Sequence, residues 1–318
     1  MQSLAMSFLN VTQEAAISVF PYIGKGGKIL ADHKATEAMR GTLHSLNAHS
    51  RVVIGEGEMD NAPMLYIGEE LGASEDPKVD IAVDPIDGTT LVSKGQGNAI
   101  AVLAAAERGC LLHAPDMYMD KIAVGPKAKG RIDVSASIEA NVTAVSEALG
   151  KSVSQLNVLV QDRERHQSLI QAIQHMGASV TLFSDVDITG IVATAVEGKD
   201  VDMLVGTGGA PEGVIAAVAM RSLGGDFQGR LRPADKEQYN RCRDMGIADP
   251  DRYLTLDDIV STDQCFFAAT GITDGPLLKG VKSINEEMLQ SHTFLAVDRQ
   301  YHVVESVHVK SQLSGNAL

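Results

Sequence analysis

A layered α/β fold is what the sequence predicts, and three observations carry that expectation. Short apolar runs alternate along the chain with segments of helical period, the pattern of strands buried on both faces beneath crossover helices. Gly150, Gly177 and Gly224 each close an apolar-periodic run, where a helix commonly stops on a left-handed residue. At 318 residues the chain suffices for one large domain or two moderate ones.

Taken in order, Leu4, Phe8, Val11, Ala15 and Val19 recur at helical spacing and describe an amphipathic first helix. Asn10, Thr12, Gln13 and Glu14 interrupt its apolar positions, which excludes a signal peptide there. A second helical period, Ala35, Ala38, Met39 and Leu43, follows Asp32, a residue open to two readings, N-cap or ligand. RVVIG (51–55) reads as a strand, and PMLYIGEELG (63–72) as a helix with Glu69 and Glu70 on its solvent face. VDIAVDP (79–85) and NAIAVLAAA (98–106) are strands. Beyond the helix NVTAVSEALG, the polar stretch GKSVSQLN (150–157) is the candidate domain boundary, giving lobes 1–153 and 154–318. LNVLV (156–160), HQSLIQAIQHMG, SVTLF (179–183), VDITGIVATAVEG and VDMLVG (201–206) then alternate strand and helix, which predicts a second, more parallel sheet. Pro211 marks the start of the helix that closes at Gly224.

Composition excludes some functions. A formal net charge of -14 repels nucleic acid and anionic membrane at long range, and no run is apolar for long enough to span a bilayer. Cys110, Cys242 and Cys265, the 3 cysteines, lie far apart without zinc spacing, which suits a reducing cytoplasm. An anionic substrate therefore needs local cations, and the surplus of carboxylates points to metal ions.

The sharpest chemical signal is Asp84-Pro85-Ile86-Asp87-Gly88-Thr89-Thr90 at the end of a buried strand. A turn there gathers the carboxylates of Asp84 and Asp87 with a peptide carbonyl, the oxygen ligands that Mg2+ and Mn2+ prefer. Thr89 adds a hydroxyl able to orient an attacking water. Upstream, RVVIG runs into Glu56-Gly57-Glu58-Met59-Asp60, a second strand ending in acids, with Glu56 the better placed ligand. GKGGK (24–28) is no P-loop, because Ile29 stands where Ser or Thr is required. GTGGAP (206–211) fails the dinucleotide fingerprint at Pro211 and leaves a glycine-lined helix start with Glu212 in its first turn.

The strings VVIGEGEMDNAPMLYIGEELG, VDIAVDPIDGTT, HAPDMYMDKIAVGP, GGAPEGV and ATGITDG resemble the GlpX-type class II fructose-1,6-bisphosphatases, and the resemblance runs from the first helix to about Gly280. It implies a layered α-β-α-β-α sugar-phosphatase fold with two sheet-containing lobes, in a cytoplasmic homo-oligomer, dimer or tetramer. It implies metal ligation by Asp32, Glu56, Asp84, Asp87 and Glu212, with two or more Mn2+ or Mg2+ ions. Thr89, Asp60 and Lys28 become catalytic candidates. The sugar bisphosphate would be contacted by Asp87, Gly88, Thr89, Tyr118, Arg163, Arg165, Asp185, Asp187 and Gly209. Three departures stand out: Asp87 where the family commonly has Glu, Arg163 where Lys is usual, and Val186 in place of the glycine of an Asp-Gly-Asp motif. The expected reaction is attack of a metal-activated water on the 1-phosphate of fructose 1,6-bisphosphate, with Arg165 holding the 6-phosphate. An inositol-phosphate phosphatase of the same superfamily and a non-hydrolysing sugar-phosphate sensor are the competing readings.

Overall fold

The computed structural model describes residues 2–57 and 64–310, so the catalytic candidate Asp60 lies outside the described residues. The chain divides into two compact units, Met1–Cys110 with Gln264–Leu318, and Leu111–Asp263.

The first unit begins with α1 (Gln2–Val19) and α2 (Lys28–His44), followed by β1 (His49–Ile54), β2 (Glu70–Leu71), β3 (Lys78–Asp87), α3 (Thr89–Lys94) and β4 (Ile100–Glu107). The second unit holds β5 (Tyr118–Val124), α4 (Ile138–Leu149), β6 (Asn157–Gln161), α5 (Gln167–His175), β7 (Ser179–Phe183), α6 (Asp187–Ala193) and β8 (Met203–Gly209). It continues through α7 (Ala210–Leu223), β9 (Asp226–Arg232), α8 (Lys236–Asp244), β10 (Tyr253–Leu254) and α9 (Leu256–Ile259). The chain then returns to the first unit as β11 (Cys265–Gly271), β12 (Lys282–Ser283), β13 (Met288–Val297) and β14 (Gln300–Val309).

In the first unit the sheet order is β12-β13-β11-β4-β3-β1-β2, with β14 on the other side of β13. Phe8, Val11, Ala15 and Val19 of α1 are fully buried, as their spacing predicts. Thr12 and Gln13, which break the apolar pattern, are buried too. Their side chains bond Thr270 at 2.8 Å and Thr293 at 3.1 Å, so the polar groups of α1 are satisfied by β11 and β13.

The second sheet runs β10-β9-β5-β8-β6-β7, with β6 parallel to β7 and to β8, as the alternation predicts. The boundary expected at 153/154 is corrected by the core of this unit. Val142 and Val145 from α4 pack in one cluster with Val158 and Val160 from after GKSVSQLN, so the polar stretch is a connection within a single core. PMLYIGEELG is corrected as well: among its described residues Leu65, Gly68 and Gly72 take φ of 52, 95 and 134°, which no right-handed helix accommodates, and only β2 forms.

Candidate active site

In the first unit the candidate ligands gather at one end of the sheet. Parallel pairing sets Ile54 of β1 opposite Ala82 of β3, which carries Glu56 and Asp84 to the same sheet end. Asp84 pairs with Val102 and Asp87 with Ile100, so three steps along β3 match two along β4. On an unbroken strand residues three apart face opposite ways, whereas this bulge returns Asp87 to the face of Asp84. Asp84 Oδ1 accepts the Ile86 N–H at 2.9 Å. Gly88 then takes φ 98°, a left-handed turn that starts α3 at Thr89.

Asp32 is no N-cap, because Gly27 holds that position and Asp32 sits inside α2. Its carboxyl is hydrogen-bonded to that of Glu56. Burial, then the charge and hydrogen bond of Asp32, push Glu56 up to about 7. Burial also raises Asp32, against the hydrogen bond from Glu56. Two carboxylates held this way share a proton or a cation, since their mutual repulsion otherwise separates them.

The loop that presents Glu56 is braced by a residue that sequence reasoning misassigned. Glu69 is 4% exposed rather than solvated. Its two oxygens take Arg40 Nε at 2.7 Å and the Leu65 N–H at 2.6 Å, while the Leu65 carbonyl accepts the Glu56 N–H at 3.0 Å. Gly55 permits the approach, since a Cβ there would lie 2.0 Å from that carbonyl oxygen. Lys28 Nζ donates to Thr90 Oγ1 at 2.8 Å, one residue from Thr89. Gly24 and Gly26 spend their N–H groups on Val92 and Ser93, so GKGGK is bound to α3 instead of forming an anion nest.

In the second unit, the positions expected to meet the sugar bisphosphate share one sheet edge. Arg163 and Arg165 follow β6, Asp185 and Asp187 follow β7, and Gly209 ends β8, all carboxyl ends of parallel strands. Antiparallel pairing sets Tyr118 of β5 opposite Gly209. Ligands collect at such ends, and strand order reverses here, with β7 and β8 on opposite sides of β6. Arg165 lies 4.9 Å above the Tyr118 ring and donates to the Thr207 carbonyl at 2.7 Å, while Arg163 and Asp185 approach to 3.9 Å. His166 Nε2 accepts the Thr207 N–H at 2.8 Å, so both backbone groups of Thr207 are held. Val186 keeps the glycine conformation of the motif it departs from, with φ 68°.

Glu212 is raised by burial, lowered by the Lys121 charge and raised again by Asp187 and Asp116. No donor among the described residues reaches its buried Oε2. Gly209 makes room for it, since a Cβ there would come within 1.9 Å of that oxygen. Sequence reasoning passed over Lys121 inside DMYMDK, although a lysine within a buried strand is itself a signal. Its side chain is 1% exposed and bonds Asp187 at 2.6 Å.

Among the described residues no three His, Cys, Asp or Glu side chains are already drawn into a cage. The first unit offers the Asp32–Glu56 pair and the Asp84 and Asp87 turn, and the second unit, taken by itself, offers the orphaned Glu212 oxygen. Oxygen donors of this kind fit a hard divalent cation.

The chain matches the family described as bacterial fructose-1,6-bisphosphatase, glpX-encoded, across residues 2–309. It is 41% identical over 322 residues to the fructose-1,6-bisphosphatase 1 class 2 of Escherichia coli K12, covering 96% of this chain and 95% of the relative. The class 2 enzyme of Haemophilus influenzae is 41% identical over 327 residues, 98% of each chain. A relative from Acaryochloris marina, named D-fructose 1,6-bisphosphatase class 2/sedoheptulose 1,7-bisphosphatase 2, is 40% identical over 331 residues, 96% of this chain and 95% of that one.

Proposed function

Because the chain belongs to the glpX-encoded family of bacterial fructose-1,6-bisphosphatases, we infer that it is a phosphoric monoester hydrolase acting on fructose 1,6-bisphosphate. The products are fructose 6-phosphate and phosphate, by loss of the 1-phosphate. The observation that carries the chemistry is the hydrogen-bonded pair Asp32–Glu56, whose half-buried carboxyls ask for a cation.

In the first unit Asp32, Glu56, Asp84 and Asp87 would hold Mn2+ or Mg2+, two or more ions, and in the second unit Glu212 offers its own oxygen to such a cation. A bound divalent cation supplies charge neutralisation for the phosphate and acidifies a water bound to it. Thr89 orients the attacking water through its hydroxyl, and Lys28 fixes the neighbouring Thr90. Arg165 is already held by the Thr207 carbonyl and stacked on Tyr118, so its remaining N–H groups present a positioned charge to the 6-phosphate. Asp187 and the Gly209 backbone receive sugar hydroxyls.

A seven-carbon bisphosphate is a second substrate to test, on the name of the Acaryochloris marina relative. Three cysteines, Cys110, Cys242 and Cys265, far apart in the sequence and without zinc spacing, suit a reducing cytoplasm. A homo-oligomer, dimer or tetramer, is supported by exposed Val303 and Val307 on the edge strand β14, and light scattering tests it. No helix among the described residues is long and apolar enough to cross a membrane.

The deciding experiment measures phosphate release by chelator-treated protein with Mn2+ or Mg2+ restored. Release from fructose 1,6-bisphosphate should require the cation, with fructose 6-phosphate inert. Faster turnover of inositol 1-phosphate would overturn the substrate, and undiminished release without cation would overturn the metal.

A further inference from the structure

We propose that Lys121 is a positioning residue for sugar recognition, acting through Asp187. The inference rests on the reading of Asp187 as a sugar contact and adds the group that aims it.

Lys121 lies on β5, which sits between β8 and β9 in the interior of the second sheet. A lysine in the middle of a sheet needs space and a partner, and the structure supplies both. Its register neighbours on the two flanking strands are Gly206 and Gly229. Gly213 of α7 lies over the stem, where a Cβ would sit 3.4 Å from Lys121 Cε. Gly208 lies over the ammonium, where a Cβ would meet Lys121 Nζ at 3.1 Å and Asp187 Oδ2 at 2.5 Å. The charge is therefore enclosed, with the Lys121 side chain 1% and the Asp187 side chain 12% exposed.

Within this slot Nζ donates to Asp187 Oδ2 at 2.6 Å. That fixes the carboxylate rotamer at the first residue of α6 and engages one oxygen, so Oδ1 faces its ligand at a set angle. An isolated carboxylate at this edge would repel a bisphosphate. A carboxylate neutralised from beneath can instead accept a hydrogen bond from a ketose hydroxyl. Lys121 is enclosed beneath Asp187, so its loss, acting through Asp187, should appear in KM and not in kcat.

The test compares Lys121→Met, Gly208→Ala, Asp187→Asn and the double variant Lys121→Met/Asp187→Asn in the cation-loaded enzyme, with fructose 1,6-bisphosphate as substrate. Lys121→Met should raise KM at least tenfold with kcat within threefold of the parent, and the double variant should match Asp187→Asn within twofold. Lys121→Arg should recover part of the loss. Gly208→Ala displaces the pair without deleting a buried charge, and should raise KM even if Lys121→Met does not fold. If Asp187→Asn raises KM while Lys121→Met and Gly208→Ala leave it unchanged, the role of Lys121 is overturned and the sugar contact stands. If Asp187→Asn itself leaves KM unchanged, the sugar contact falls and the positioning role with it. A double variant tenfold worse than Asp187→Asn would show that Lys121 acts on substrate by another route, which also overturns the proposal.

Discussion

At the scale of single residues, the metal-free state carries a measurable signature. Glu56 binds its proton more tightly folded, at about 7, than its ordinary value of 4.5. Between those values the folded chain holds more protons than the unfolded one, so this group's contribution to stability falls as pH rises from about 4.5 to about 7. Chelator-treated protein should therefore lose unfolding temperature across that window, and Glu56→Gln should flatten the loss. Val186 gives a second prediction with an unusual sign. A β-branched residue at φ 68° pays roughly 1–2 kcal/mol for left-handed backbone, a cost that Ala retains and Gly does not. Urea denaturation should find Val186→Gly more stable than Val186→Ala by about 1 kcal/mol, the reverse of the usual order. The sequence announced the missing glycine. That the backbone still takes the glycine conformation, with the valine 2% exposed, needed the structure.

At the scale of elements, what was legible depended on whether polarity followed exposure. The strand before Asp84 and the crossover strands β6 to β8 are apolar runs, and their ends carry the acids of the Asp84 turn that the residues themselves point to and the arginines and aspartates that only the resemblance implies. The segment around Glu69 misled because its apolar residues fall at helical spacing. Its glycines are turn residues, and the Gly68 N–H bonds the Val52 carbonyl at 2.8 Å. Removing the brace tests this: Glu69→Ala leaves Arg40 and the Leu65 N–H without their carboxylate, at a cost of about 2–3 kcal/mol measured by urea denaturation. Strands β13 and β14 were not read at all. Ser291 and Thr293 are buried with hydrogen-bond partners on β14, β11 and α1, so the hydrophobic period that reports a strand is broken where its inward face is polar.

At the scale of the whole molecule, the topology explains why no linker could be found. The first unit is built from two stretches of chain, and β11, the first strand of the returning stretch, lies between β4 and β13 in its sheet. A chain that leaves one core and later returns to it shows no shift of composition at 110/111 or 263/264. The stretch that did look like a linker joins two parts of one core. The consequence is asymmetric. The second unit is continuous and has its own sheet and cluster, so a polypeptide of residues 111–263 should fold alone and unfold cooperatively in a calorimeter. A chain ending at residue 263 keeps that transition but loses β11, and with it the strand on one side of β4 and the partners of Thr12 and Gln13. It should lack the transition of the first unit and release no phosphate from fructose 1,6-bisphosphate. If that truncated chain showed two cooperative transitions, the strands after residue 263 would be dispensable to the core that carries Asp32, Glu56, Asp84 and Asp87, against the pairing of β11 with β4 along its whole length.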